Sequence, residues 1–348
     1  MYKKIYVPNL KWKRGEKIAV RNLDTPTKDK IIPVFNVMPT EEAEQFIVDI
    51  KKNWGTSRPF FFDFHQNFIE KKESFVNPFI NKLISLSTQE NLSILPIVKE
   101  VYNDNYLKIL NDNINNLKSG YAIRITVKDY KQFLSIVQRI TNKISIPINN
   151  TDLIIDMGTL IMPAEVLEAM SSLVSDVIKK SHKFNFRSII MCGSSFPQML
   201  TGLKKFQVST IARIEWRIWN QFKKDHPNLV FGDYGIDDPH DIDLRDGATI
   251  IPTIRYTYGD YWYILRGKHD PDKPRDYSQY HKLSQMLIGN KIYCGKSYSW
   301  GNKLITECAD KACLGVGKKC NHGNPEKWVQ ISTNHHITYL ANCCASSL

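Results

Sequence analysis

The chain has 348 residues, of which 42% are hydrophobic and 11% aromatic, and this composition argues against global disorder. Its formal charge of +12 favours anionic partners such as nucleic acid, nucleotides or acidic proteins, against the alternative of a basic surface that binds nothing. The N-terminal stretch lacks a signal-peptide core, no apolar run reaches the roughly 18 residues of a membrane span, and the seven cysteines are an odd number. We therefore expect a protein of the reducing cytoplasm with no membrane partner.

Short apolar runs alternate with amphipathic helical patterns along most of the chain. The runs are apolar on both faces, which is typical of parallel strands covered by helices. The predicted strands are 31–37, 59–64, 93–100, 121–126, 152–158, 188–194, 228–234 and 252–258. Eight strands in this rhythm predict a (β/α)8 TIM-like barrel, and an open doubly wound sheet is the competing interpretation.

The last predicted strand differs from the others because the stretch IRYTYGDYWYILRG contains a second apolar run. Its pattern predicts two strands around a tight turn at Gly259 and Asp260, so the barrel closes irregularly or carries an antiparallel addition. A final helix is predicted within 271–290, and the following segment reads as loop-rich. We therefore expect a barrel over residues 1–290 and a C-terminal appendage, 291–348, packed on it.

Charged and polar side chains lie at the C-terminal ends of the predicted strands, where TIM-barrel enzymes carry their active sites. In one interpretation the cations bind an anion such as phosphate, while a carboxylate acts as a base or a metal ligand. In the other, the charges form a structural ion-pair network that plugs the barrel mouth. The candidate catalytic residues are Asp156 and Asp233, and the candidate ligand-binding residues at strand ends are Lys99, Arg124, Tyr234 and Arg255.

The stretch IARIEWRIWNQF predicts a helix that brings arginines and a tryptophan together. Arg213 and Glu215 are further candidates for ligand binding, because a surface of arginines and aromatic rings can stack on bases or contact phosphates. This pattern makes nucleic acid or a nucleotide a candidate partner. The alternative is an ordinary amphipathic helix whose aromatic side chains face the core.

Four potential zinc ligands lie in the C-terminal segment. Cys308, Cys313, Cys320 and His322 could complete a tetrahedral site of three thiolates and one imidazole. Their spacing departs from the common paired arrangement of two cysteines separated by two residues. Zinc is thus one interpretation, and a set of unrelated thiols is the other.

Six stretches of the sequence resemble the beta protein family of tailed phages and bacterial genomes, where members occur in mobile or defence-related neighbourhoods. They are YVPNLKWKRGEKIAVRNL, IIPVFNV, ARIEW, FGDYGI, IRYTYGDYWYILRG and NHHITYL. The resemblance spans most of the chain and implies a partner protein in a phage or defence system. It transfers no catalytic residue. The matched positions selected for testing are Arg213, Glu215, Trp216, Gly232, Asp233, Tyr234, Arg255, Trp262, Gly267, His335 and His336.

Two functional hypotheses follow from these patterns. The first is a phage- or defence-associated protein that recognises a partner or an anionic ligand through its barrel mouth or basic surface. The second is a hydrolase or lyase that acts on a phosphorylated or otherwise anionic substrate at the C-terminal ends of the strands.

Overall fold

The computed structural model describes residues 5–38, 41–65, 73–240, 250–310 and 322–346. Eight parallel strands close into a barrel in the order in which they occur along the chain. They are β1 (Tyr6–Leu10), β2 (Val34–Val37), β3 (Phe60–Phe64), β4 (Ile94–Lys99), β5 (Tyr121–Thr126), β6 (Thr151–Thr159), β7 (Ser188–Ser194) and β9 (Leu229–Asp233). β1 pairs with β2 on one side and with β9 on the other, which closes the barrel. The predicted TIM-like barrel is therefore confirmed.

Helices surround the barrel, and further helices follow its last strand along the chain. α3 illustrates why they form, because Phe46, Ile47 and Ile50 recur at helical spacing and are buried against the strands. The helices are α1 (Arg14–Arg21), α2 (Thr25–Lys30), α3 (Ala43–Asn53), α4 (Glu73–Gln89), α5 (Asp104–Asp112), α6 (Phe133–Lys143), α7 (Ala164–Ser181), α8 (Ile214–Asp225), α9 (Gln279–Ile288), α10 (Trp300–Ala309) and α11 (Pro325–Ser346). None of these helices is long and apolar enough to cross a membrane.

Alternating residues of the strands fill two separate apolar layers. In β9, Val230 belongs to the cluster inside the barrel, whereas Leu229 and Phe231 belong to the large cluster between the strands and the helices. Successive side chains of a strand point to opposite faces, so this assignment fixes the direction of every later residue on the strand.

One member of the predicted strand set was wrong. The run 252–258 does not enter the barrel, and its place is taken by β1, for which no strand was predicted. The YVPNL run of β1 is short and contains a proline and an asparagine, so it lacks the apolar signature of the other strands. All five residues of β1 are nevertheless buried, and Pro8 lies opposite Asp233 of β9.

A second sheet of three antiparallel strands packs beside the barrel. It consists of β8 (Val208–Ala212), β10 (Thr253–Tyr258) and β11 (Tyr261–Arg266), with β11 in the middle. The turn between β10 and β11 comprises Gly259 and Asp260, and Gly259 has a φ of 54°, a conformation that glycine adopts without strain. The predicted hairpin is therefore confirmed, but it belongs to this sheet.

The C-terminal segment is more helical than its loop-rich sequence suggests. α10 begins at an N-cap, where the Ser299 side chain accepts a hydrogen bond from the Asn302 backbone. α11 begins at Pro325, a residue suited to the first helical turn, and is buried on several faces. It lies between the barrel and the second sheet and contributes Ile337 and Leu340 to the main core.

Candidate functional site

The barrel mouth contains a cavity of about 530 Å³ at the C-terminal ends of the strands. This is the end at which TIM-barrel proteins place their functional groups. Its lining includes four lysine or arginine side chains, Lys11, Lys99, Arg124 and Lys128, and three carboxylates, Glu100, Asp129 and Asp156. Phe64, Val101, Val127 and Tyr234 add apolar or aromatic surface.

Asp63, at the end of β3, is the buried centre of the charge network beneath this cavity. Its carboxylate lies 2.7 Å from Nη1 of Arg124 and 2.9 Å from Nζ of Lys99. The Tyr102 hydroxyl donates a further hydrogen bond to it at 3.1 Å. The side chain of Asp63 has no exposed surface, so its charge is stabilised by these partners. The expected pairing of Lys99 and Arg124 with strand-end carboxylates is thus present.

Asp156, at the end of β6, forms the second carboxylate position in the cavity. The Tyr234 hydroxyl donates to its Oδ2 at 2.5 Å, and the Gly158 backbone donates to its Oδ1 at 3.0 Å. Burial and the charge of Asp156 raise the pKa of Tyr234, so this hydroxyl remains a donor. The nearest nitrogen of Arg124, Nε, is 3.9 Å from Asp156 Oδ2.

Arg124 has more donors than the surrounding side chains satisfy. Its side chain is only 5% exposed, yet Nε and Nη2 have no hydrogen-bond partner among the described residues. Nε–H and Nη2–H lie on the same edge of a guanidinium, which is the edge that binds carboxylate or phosphate with two parallel hydrogen bonds. A buried N–H group without a partner carries a desolvation penalty of about 1–3 kcal/mol.

Arg187, at the opposite end of the barrel, shows how a purely structural arginine is held. Its Nε and Nη2 donate to the two oxygens of Asp152 at 3.1 and 2.6 Å. Its Nη1 donates to Ser119 O and Asn150 Oδ1. All three nitrogens therefore have partners, in contrast to Arg124.

Lys99 projects into the same cavity from the end of β4. Burial lowers the pKa of Lys99, the neighbouring Arg124 lowers it further, and the Asp63 carboxylate opposes both effects. The amine also donates to the Phe64 carbonyl at 3.3 Å. A strand-end lysine held between a carboxylate and a carbonyl is positioned to place its charge near a bound anion.

Asp233 lies on the other side of the barrel wall from Asp156. Because Val230 faces the interior, Asp233 faces outward and Tyr234 faces inward. Asp233 accepts a hydrogen bond from Tyr6 at 2.6 Å and lies 3.0 Å from Nε2 of His336 in α11. The structure thus separates the two candidate catalytic carboxylates, and Asp233 is not among the residues that line the cavity.

Arg213 and Glu215 are also away from the mouth, at the start of α8. Arg213 is fully buried, 3.6 Å from Glu215, and its guanidinium lies over the rings of Trp216 and Trp262. Glu215 accepts hydrogen bonds from Ser195. This environment matches the amphipathic-helix interpretation, since neither the arginine nor the carboxylate is accessible to a nucleic acid.

The stretches that resemble a known family meet in this buried region. Tyr6, Asp233, Trp262 and His336 come from four different elements, and Arg213 is the N-cap residue of α8. His336 stacks on Trp262 with ring centroids 4.8 Å apart. Nδ1 of His336 also lies 2.8 Å from the Thr257 hydroxyl. These residues connect the barrel, the second sheet and α11. The positions at which the sequence resembles the family therefore stabilise the packing between these parts of the fold.

Two predicted site features, Arg255 and the proposed zinc ligands that the structure describes, are not part of the cavity. Arg255 is on β10, donates to the Ile236 carbonyl at 3.1 Å and covers the Phe196 ring, so its placement at a barrel-strand end was wrong. Of the proposed zinc ligands, Cys313 and Cys320 lie outside the described residues. Cys308 is buried, and His322 Nδ1 lies 3.0 Å from the Gly323 carbonyl. Zinc binding stays a prediction.

Several residues that line the cavity were harder to identify as site residues from the sequence. Lys11 follows β1, the strand that was not predicted, and it pairs with Asp237 at 3.3 Å. Lys128 follows β5 within a 3-10 helix, and His240 lies in the loop after β9. Lys11 would have been found had β1 been assigned, whereas Lys128 and His240 lie in the loops that follow two of the predicted strands.

The closed parallel barrel and its charged mouth define a TIM-like barrel protein. The model of the family described as Beta protein matches residues 6–342. The chain therefore belongs to the beta protein family, which confirms the resemblance of its motifs. No curated protein matches it.

Two solved structures show distant similarity. Triosephosphate isomerase from Bartonella henselae aligns with a TM-score of 0.32 and 10% identity, covering 65% of this chain and 91% of that chain. The carboxyl transferase domain of Rhizobium etli pyruvate carboxylase aligns with a TM-score of 0.35 and 9% identity, covering 98% of this chain and 48% of the other. Similarity at this level carries no information about activity.

Proposed function

We propose that the protein binds a small anionic ligand, bearing a phosphate or carboxylate group, in the mouth of its barrel. The observation that carries this proposal is the guanidinium edge of Arg124 formed by Nε and Nη2. This edge is buried at the cavity, and neither nitrogen has a hydrogen-bond partner among the described residues. Two parallel hydrogen bonds from this edge to an anion would remove the desolvation penalty. Lys99 and Lys128 add positive charge on the same cavity.

Recognition of a ligand accounts for the site better than catalysis by an aspartate pair. Asp156 and Asp233 lie on opposite faces of the barrel wall and cannot act together on one substrate. Asp156 is held by Tyr234 and the Gly158 backbone, which orients it as a fixed wall of the cavity. In the phage or defence setting that the family suggests, such a ligand would be a signal or a group presented by a partner.

The proposal is tested with Arg124→Lys, which keeps the charge beside Asp63 but removes the two-donor edge. Inorganic phosphate is the probe, and the measurements are thermal shift and isothermal titration calorimetry at low ionic strength. Phosphate is expected to raise the Tm of the wild type, and Arg124→Lys is expected to weaken binding by about tenfold, the loss of roughly one charge-assisted hydrogen bond.

Arg187→Lys is the matched control, since Arg187 is a paired arginine at the other end of the barrel. It is expected to lower stability without changing the affinity for phosphate. Lys128→Ala removes an exposed charge at the rim and is expected to weaken binding without affecting the fold. Equal phosphate binding by the wild type, Arg124→Lys and Lys128→Ala would contradict the proposal, as would no binding of phosphate or citrate to the wild type.

A further inference from the structure

The outer edge of the second sheet is available for backbone hydrogen bonding. β8 is an edge strand that pairs with β11 alone among the described strands. Next to it, the Arg213 backbone donates to Asp260 O at 2.9 Å, toward β11, whereas Ala212 O accepts from the Ser195 hydroxyl, away from β11. Backbone groups alternate in direction along an antiparallel strand, so those of Val208 and Thr210 also face away from β11.

An exposed aromatic surface lies on β11 and β10, the other two strands of the sheet. Tyr258 and Tyr261 are 40% and 38% exposed, and Tyr263 lies beside both with ring centroids 6.5 and 6.4 Å away. Register places Tyr261 opposite Ala212 and Tyr263 opposite Thr210, on one face of the sheet. Tyrosines of this kind supply large contact area at low conformational cost and are enriched at protein interfaces.

The charge beside the edge is mostly positive. The stretch 196–212 contains two lysines, Lys204 and Lys205, and no aspartate or glutamate, and both lysines are exposed. At the other end of β8, exposed Arg217 covers the ring of Tyr261 at 5.0 Å. Asp260, 4.0 Å from Arg217, is the acidic side chain at the hairpin tip.

We propose that this edge binds an extended acidic segment of a partner protein, which adds a strand beside β8. The outward-facing groups of Val208 and Thr210 would supply the backbone hydrogen bonds, and the tyrosines would contact alternate side chains of the segment. Cations at both ends of β8 favour an acidic partner. A second copy of this chain is disfavoured, because antiparallel β8–β8 pairing about Thr210 would bring Lys204 of one copy toward Arg217 of the other.

The test uses Thr210→Pro in the full-length chain. The N–H that proline removes faces away from β11, so the sheet itself loses no hydrogen bond. The probe is a short, end-blocked peptide of alternating glutamate and valine, with the lysine–valine peptide as its charge-reversed counterpart, measured by fluorescence anisotropy. The wild type is expected to prefer the acidic peptide by at least about tenfold, and Thr210→Pro to weaken its binding by a similar factor.

Thr210→Ala is the matched control and is expected to bind as the wild type does, since it keeps the backbone N–H. Lys204→Glu provides a second variant should Thr210→Pro unfold, and it is expected to weaken binding of the acidic peptide several-fold. The proposal is overturned if neither peptide binds, if both bind equally, or if Thr210→Pro and Lys204→Glu leave the affinity unchanged. It is also overturned if sedimentation shows a dimer that Thr210→Pro dissociates, or if single-stranded DNA displaces the peptide by stacking on Tyr261.

Discussion

Burial of the His335 imidazole makes the stability of the protein depend on pH. Its Nδ1 lies 2.8 Å from Asn302 Oδ1, its Nε2 lies 2.8 Å from Thr257 O, and its ring stacks on Tyr256. Burial lowers the pKa of His335 from 6.5 to about 3. Since the unfolded chain then binds a proton that the folded chain does not, the free energy of unfolding decreases as the pH falls below 6.5.

We therefore expect His335 to remove about 2 kcal/mol of stability between pH 7.5 and pH 5. Urea unfolding of the wild type and of His335→Gln at both values measures this, and the variant should show a smaller decrease. Comparing the two proteins cancels opposite contributions, such as that of Glu16, whose pKa burial raises to about 7. His182→Gln, at an exposed histidine, should follow the wild type, and a His335→Gln profile parallel to the wild type would refute the assignment.

It was easier to predict which residues lie at the strand ends than which face of the barrel wall each side chain occupies. Lys99, Arg124, Asp156 and Tyr234 were placed correctly at the cavity because each lies at the end of a strongly apolar strand. Asp233 was not, although it precedes Tyr234 directly. A one-residue change of position reverses the face, and only the burial of Val230 inside the barrel decides which of the two enters the mouth.

At the scale of elements, α10 and α11 approach each other closely at Gly301. A Cβ atom added at this position would lie 2.4 Å from the Ile331 backbone oxygen, so Gly301→Ala must force the helices apart. We expect a loss of about 1–3 kcal/mol or more, as for other overpacked sites. Thermal and urea unfolding measure it.

Gly289→Ala is the control for this prediction. Gly289 follows α9 with a φ of −77°, and its nearest contact for an added Cβ is 3.4 Å, so the change should cost less than about 1 kcal/mol. Similar unfolding curves for both variants would mean that the two helices can separate without loss.

The number of strands in the barrel could be predicted from the sequence more readily than their identity, and β8 of the second sheet was not predicted. An apolar run predicts a buried strand, but β10 and the barrel strands share that property, and only their hydrogen-bond partners distinguish them. β1 lacked the property because its five residues include Pro8 and Asn9. The alternation of apolar runs and helical patterns therefore predicted the correct fold, with one strand of the barrel assigned wrongly.

At the scale of the whole molecule, we expect the barrel to depend on the C-terminal segment. α11 provides Ile337, Leu340 and Ala341 to the same apolar cluster that covers the outside of the barrel strands. His336 of the same helix is the neighbour of buried Asp233. Removing residues 291–348 would expose this core and leave a buried carboxylate without its partner.

The chain 1–290 is therefore expected to lack a cooperative thermal transition, whereas the intact protein should show one transition with coincident midpoints by far-UV circular dichroism and tryptophan fluorescence. His336→Gln in the intact chain serves as the milder control and should remain folded. A truncated protein that melts cooperatively with native near-UV circular dichroism would show that the predicted division at residue 290 separates an independent unit.

The contact between Tyr6 and His336 joins residues 330 positions apart, and β1 completes the barrel only by pairing with β9. During synthesis at about 5–20 residues per second, the first strand would wait on the order of half a minute before its last neighbour emerges. Throughout that time β1 presents an unpaired strand edge in a nascent chain that cannot yet close. Ribosome-bound chains that end before α11 are therefore expected to depend on chaperones to stay soluble.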